Sequence, residues 1–155
     1  MPIRFIALDT ELVAGLQAGS PDANGQRPER AIAPEDGYPC RHCLADIRCG
    51  ETYLTLAHRP FPSPQPYAEI GPIFLHAGPC ARGGGSATIP PFLDSPHYIV
   101  RGYNNQHRIV YGTGRVVATA QIPATSCEML EDPRIAYLHV RSASNNCYHC
   151  RVERA

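Results

Sequence analysis

Apolar and polar residues alternate along much of this chain, and the alternation marks out short strands. Arg4 to Leu8 (RFIAL), Thr52 to His58 (TYLTLAH) and Pro72 to Ala77 (PIFLHA) each read as a strand with one buried face. HYIVRGYNNQHRIVYGTG carries two β-branched and aromatic runs around Asn104 and Asn105. Asparagine tolerates the positive φ of tight turns, so this segment predicts a β-hairpin, which Val116 to Ile122 extends. The C-terminal IAYLHVRSASNNCYHCRVERA predicts two strands around a Ser/Asn turn.

Helical periodicity is scarce. Leu12, Val13 and Leu16 fit one brief helix, capped by Asp9 or Thr10 and ended by Gly19. A second short helix is expected in PATSCEMLED, stopped by Pro133. Ser20 to Asp36 is rich in Pro, Gly and Asn and reads as a loop. The prolines at 60, 62, 64, 66 and 72 favour a stiff, extended excursion over the surface. CARGGGSATIPPFLDSP is a long irregular loop without the ending of a phosphate-cradling motif. No strand–helix alternation signals a parallel sheet, and no internal repeat is visible. The pattern predicts an α+β fold: a mostly antiparallel sheet with one or two short helices and long loops, in a single domain over residues 1–155.

Composition narrows the function classes. The 155 residues carry a formal net charge of +0, so no basic footprint for nucleic acid is expected. Every basic residue other than histidine is arginine, which removes Schiff-base chemistry and a P-loop lysine from consideration. The first residues do not form a signal peptide, and no apolar run approaches a membrane span, so a cytoplasmic, reduced protein is expected with no membrane partner. In that setting the seven cysteines are not expected to form a disulfide framework.

The cysteines form two C-x-x-C pairs, Cys40 with Cys43 and Cys147 with Cys150. The second lies in an apparent strand, where Cys147, His149 and Arg151 would share one face and Tyr148, Cys150 and Val152 the other. Its thiols would then point apart, leaving Cys150 as a small buried hydrophobe. The first follows Pro39 in non-alternating sequence, where thiols at i and i+3 converge on one ion or on each other. Further ligands are sought among Cys49, His58, His76, Cys80, Cys147 and His149. Cys80, placed at a loop mouth by Gly78 and Pro79, is the preferred third. The expected metal set is Cys40, Cys43, Cys80 and Cys147, with His76 as the alternative fourth ligand and zinc or another thiophilic metal as the cofactor. A thiol-based redox or nucleophilic enzyme using Cys40 and Cys43 is the competing expectation.

A second cluster arises if the last two strands pair. His139 and Arg141 would then face His149 and Arg151, a set suited to a small anionic ligand. A non-enzymatic binding module on that face is the third expectation. No Ser/His/Asp motif, paired carboxylates or nucleotide fingerprint names a reaction.

The ordered motifs PCRHCL, GE-YLTL--RPF, PYAEIGPIFLHA-PC, RIVYGTG and HVRSASNNC--CRVER resemble the bacterial family known as domain of unknown function 1203. The resemblance runs from about Tyr38 to Arg154. It rests on Cys40, Arg41, Cys43, Leu44, Tyr67, Gly71, Pro72, His76, Cys80, Arg141 and Cys147. It implies a small, single-domain bacterial protein and no particular reaction.

Overall fold

The computed structural model describes residues 2–155. Ten strands and two helices follow one another as β1 (Ile3–Ile6), α1 (Thr10–Gln17), β2 (Glu29–Ile32), β3 (Tyr38–Pro39), β4 (Asp46–Ile47), β5 (Thr52–His58), β6 (Gly71–His76), β7 (His97–Tyr103), β8 (Arg115–Ala118), α2 (Ile122–Met129), β9 (Tyr137–Ser142) and β10 (Tyr148–Arg154). They form a five-stranded sheet ordered β1-β10-β9-β7-β8, a three-stranded sheet ordered β2-β5-β6 and a small β3-β4 ribbon. Every pairing between named strands is antiparallel. The fold is therefore α+β, as the alternation predicts. None of the helices is long and apolar enough to cross a membrane, among the described residues.

One face of the large sheet makes the main core. Val100, Val140 and Cys150 lie in register across three strands, and Phe5, Leu138 and Val152 join them. Ile122, Met129 and Leu130 of α2 and its end close that core from below. A second core lies between α1 and the small sheet. Val13 and Leu16 pack there with Leu54, Leu56, Ile73 and Leu75, and with Cys40 and Ile47 of the ribbon. The other face of the large sheet is aromatic and charged, and the small sheet covers it. His58 of β5 meets Tyr148, and Phe61 just beyond meets His139.

Local chemistry explains where the observed elements depart from the predicted ones. Strand β2 falls in a stretch expected to be loop. All four of its residues are exposed, so no buried face imposes alternation on it. The hairpin around Asn104 shrinks to a single bridge, Tyr103 with Ile109. There the side chain of Asn104 accepts N–H bonds from Gln106 and Arg108, and the positive φ falls on His107. The Thr113 hydroxyl takes the Gly102 N–H that a second strand would need. The first half of β7 instead pairs with β8. The helix α1 starts after Asp9, whose side chain makes no capping bond, and Thr10 bonds His42 instead.

The last hairpin forms, but a β-bulge lies between Tyr148 and Cys150. Two residues there oppose one on β9, which reverses the expected sidedness. Tyr148 faces Arg141 and meets His139 edge to face, while His149 turns to Phe92 and Tyr98 of the main core. Alternation resumes with Cys150 in the core and Arg151 opposite His139.

Candidate metal centre

The ribbon strands β3 and β4 flank the turn Cys40-Arg41-His42-Cys43-Leu44-Ala45. The turn closes through Cys40 N to Ala45 O at 3.0 Å and Leu44 N to Cys40 O at 3.0 Å. Leu44 takes a left-handed conformation, φ 58°, which costs a branched residue energy. Its side chain offsets that cost by filling the main core, where it is 1% exposed. The result is a knuckle that turns the thiols of Cys40 and Cys43 to one side.

Strand β6 brings the remaining donors. Arg41 N donates to Phe74 O, so the knuckle lies beside the end of β6, where His76 is the last residue. Beyond it the chain bends at Gly78 and Pro79. Gln17 of α1 holds that bend by donating to the carbonyls of His76 and Gly78. Cys80 then turns back to the knuckle. Gly83 N completes the enclosure with a 2.9 Å bond to His42 O.

Cys40, Cys43, His76 and Cys80 each offer a ligand atom, and these atoms all lie within 4.8 Å of one another. The Cys40 and Cys80 sulfurs are 4.0 Å apart, and the Cys43 sulfur is 3.5 Å from His76 Nδ1. A tetrahedral ion bound at about 2.3 Å to sulfur and about 2.0 Å to nitrogen separates two sulfurs by about 3.8 Å and sulfur from nitrogen by about 3.5 Å. The residues present therefore fit a four-coordinate metal. His76 Nε2 faces Glu51 at 3.5 Å, the outer carboxylate that commonly orients a ligating imidazole.

Protonation points the same way. The Cys40 thiol is drawn well below the ordinary thiol range by a hydrogen bond from Cys43 and by N–H donors, including His76 N at 3.4 Å. That same hydrogen bond, with burial and the Cys40 charge, pushes Cys43 upward. Burial and then the Cys40 charge push Cys80 up to about 11. Without a cation the pocket accepts one thiolate, and a bound cation removes the mutual repulsion that prevents three. His42 Nδ1 lies 3.1 Å from the Cys80 sulfur, while its Nε2 is held by Thr10.

Arg41 sits beside the centre, 2% exposed. It donates to Tyr148 O at 2.8 Å and to Pro39 O at 2.6 Å. Burial lowers its pKa to about 10, and the nearby Cys147 and Cys40 oppose that shift. It stays charged at neutral pH. Three thiolates and a divalent ion leave one net negative charge, which this guanidinium lies close enough to balance.

The structure thus brings Cys40, Cys43 and Cys80 together with His76, the alternative fourth donor. Cys147 belongs elsewhere: it lines a separate cavity with Arg141 and His58. It sits in the turn just before β10 and is not among the four grouped donors. Of the expected anion set, His139, Arg141 and Arg151 share a face, and His149 is removed by the bulge. His139 and Arg141 are 1% and 2% exposed, so the set is not an open surface. Arg151 lies 3.7 Å over the Tyr137 ring and pairs with Glu153. His42 and Glu51 were not singled out from sequence. Position between the two knuckle cysteines is the one signal by which sequence could have found His42.

Three buried histidines set the acid response. His58 and His149 are lowered to about 4, each by burial and then by Arg41, and His139 lies well below its ordinary value through burial and Arg141. The unfolded chain binds protons at these sites near 6.5, where the folded chain does not, so stability falls as pH drops from 6.5 toward 4. Asp46 acts oppositely: burial and neighbouring Asp94 raise it to about 7, which favours the fold as pH falls. Three groups against one part-buried carboxyl give a net loss, each histidine contributing at most about 1.4 kcal/mol per pH unit. Urea unfolding at stepped pH is expected to show this decline; a flat or rising stability below pH 6.5 would contradict the assignment.

A family model described as "Protein of unknown function (DUF1203)" matches residues 37–154. No curated protein and no solved structure matches the chain.

Proposed function

We propose that this chain, which belongs to the DUF1203 family of proteins of unknown function, holds one zinc ion through Cys40, Cys43, His76 and Cys80. The observation that carries the reading is the pair of separations, 4.0 Å between sulfurs and 3.5 Å between sulfur and nitrogen, which match the edges of a tetrahedral site. Three thiolates and an imidazole form a soft donor set that suits zinc over magnesium or calcium. Four protein ligands leave no open position, so the ion braces the structure rather than activating water. It ties the knuckle to the end of β6 and to the loop that carries Cys80. The setting proposed is the reducing cytoplasm, where these thiols stay available to a metal.

Thiol catalysis is the weaker reading. Cys40, the knuckle thiol drawn toward the thiolate, is 0% exposed, and a substrate or oxidant would have to reach it. Elemental analysis of protein purified without a metal-affinity tag tests the proposal. One zinc per chain, lost together with Cys43→Ser, is the expected result. Metal-free protein with a disulfide among Cys40, Cys43 and Cys80 would overturn it in favour of redox chemistry.

A further inference from the structure

A concavity of about 690 Å³ beside Asp22, Arg27 and Thr55 is an open groove. The carboxylate of Asp22 there is already satisfied by the N–H groups of Asn24, Gln26 and Ala57. A smaller cavity of about 250 Å³ between the two sheets holds more unspent chemistry. Its polar wall is formed by His58, Glu69, Arg141, Asn145, Asn146 and Cys147. It lies below the roughly 300–1,000 Å³ of drug-sized ligand sites, so it suits a small occupant.

Arg141 is the dominant group in it. Its side chain is 3% exposed. Nη2 pairs with Glu69 at 2.7 Å and lies 3.0 Å from His139 Nδ1, and Nη1 donates to Asn146 O at 3.3 Å. Its Nε is buried with no hydrogen-bond partner among the described residues, and so is Nε2 of His58. Buried donors left unpaired are costly, so two on residues lining one cavity call for an explanation. Charge points the same way. Among the described residues Glu69 is the only carboxylate lining the cavity; it is 42% exposed, and Arg101 shares it at 3.0 Å. Two guanidinium groups on one carboxylate leave a net positive charge. Neutral His58 can present an N–H, and the Asn145 and Asn146 amides add donors from the β9–β10 turn.

We propose that this cavity binds a small oxyanion, a phosphate or a carboxylate group, seated on the Arg141 guanidinium. The site replaces the expected set of His139, Arg141, His149 and Arg151. His139 now acts behind Arg141, and His58 and the Asn turn take the places of His149 and Arg151. The proposal does not depend on the metal reading.

Cys147 lines the cavity and is only part-buried, so it reports occupancy. Alkylation of Cys147 by iodoacetamide, mapped by mass spectrometry, is to be followed against inorganic phosphate and against acetate, each at fixed ionic strength with chloride as the reference. Saturable protection by phosphate alone, or by acetate alone, supports the site and identifies the group it takes. Glu69→Gln removes the competing carboxylate from an exposed position and is expected to tighten the effective anion by about threefold or more. Arg141→Gln is expected to abolish protection. If that variant fails to fold, the wild-type and Glu69→Gln measurements still decide. Equal alkylation rates in all three salts, or weaker binding in Glu69→Gln, would overturn the proposal.

Discussion

Cys40→Ser is expected to release the metal and to produce the largest loss of stability of any single ligand change. Cys40 is 0% exposed and lies at the meeting point of the knuckle, β6 and the second core. Its sulfur sits 4.0 Å from that of Cys80 and accepts the His76 N–H at 3.4 Å, so its removal takes away a ligand and the acceptor that fixes His76. An ion bound only by the folded chain adds about 4 kcal/mol when free metal exceeds its dissociation constant a thousandfold. Losing the ion forfeits that term, and the buried hydroxyl inherits an unfilled site. A chelator acting on the wild-type protein should reproduce most of the effect. Thermal unfolding with and without chelator is the measurement: a wild-type protein that unfolds at one temperature in both, and matches Cys40→Ser, would show that no metal contributes.

Gly83→Ala is expected to cost more than about 4 kcal/mol and to weaken metal retention, although residue 83 binds nothing itself. A Cβ at this position would stand 2.1 Å from the carbonyl oxygen of Cys43 and 2.7 Å from its carbonyl carbon. Both are backbone atoms of the knuckle and cannot swing aside as a side-chain tip would. The loop must lift, which breaks the 2.9 Å bond from Gly83 N to His42 O and moves Cys80, three residues earlier, away from its partners. Gly85→Ala serves as the control. Its φ of +86° makes alanine strained, yet nothing lies within 4 Å of the added carbon, so the loss should stay near 1 kcal/mol. Equal losses for the two variants would show that flexibility of the glycine run, and not close approach, is what matters.

The Gly83 contact illustrates a limit of reading this chain one residue at a time. The run Gly83 to Gly85 reads as a flexible loop from sequence, whereas Gly83 and Gly84 are packed against the carbonyls of Cys43 and Phe5. Backbone approach between distant segments leaves no compositional trace beyond the glycine itself. The same holds for β2, whose exposed residues carry no pattern, and for Thr113, which ends the expected hairpin by capturing the Gly102 N–H.

What the sequence determined by itself is local. Alternation places β5, β6, β7, β9 and β10, because successive side chains of a strand point to opposite faces and the two faces here differ in polarity. Pro39 and the i, i+3 spacing of Cys40 and Cys43 define a knuckle, because a tight turn carries its own geometry wherever it sits. Tertiary structure alone decided which donors complete the centre and which arginine stays unsatisfied. His76 and not Cys147 joins the knuckle because β6 runs beside it and bridges Cys40, while Cys147, in the turn before β10, lines a separate cavity. A single bulge after Tyr148 sent His149 into the core, since the extra residue of a bulge leaves the ladder and breaks the alternation at that point.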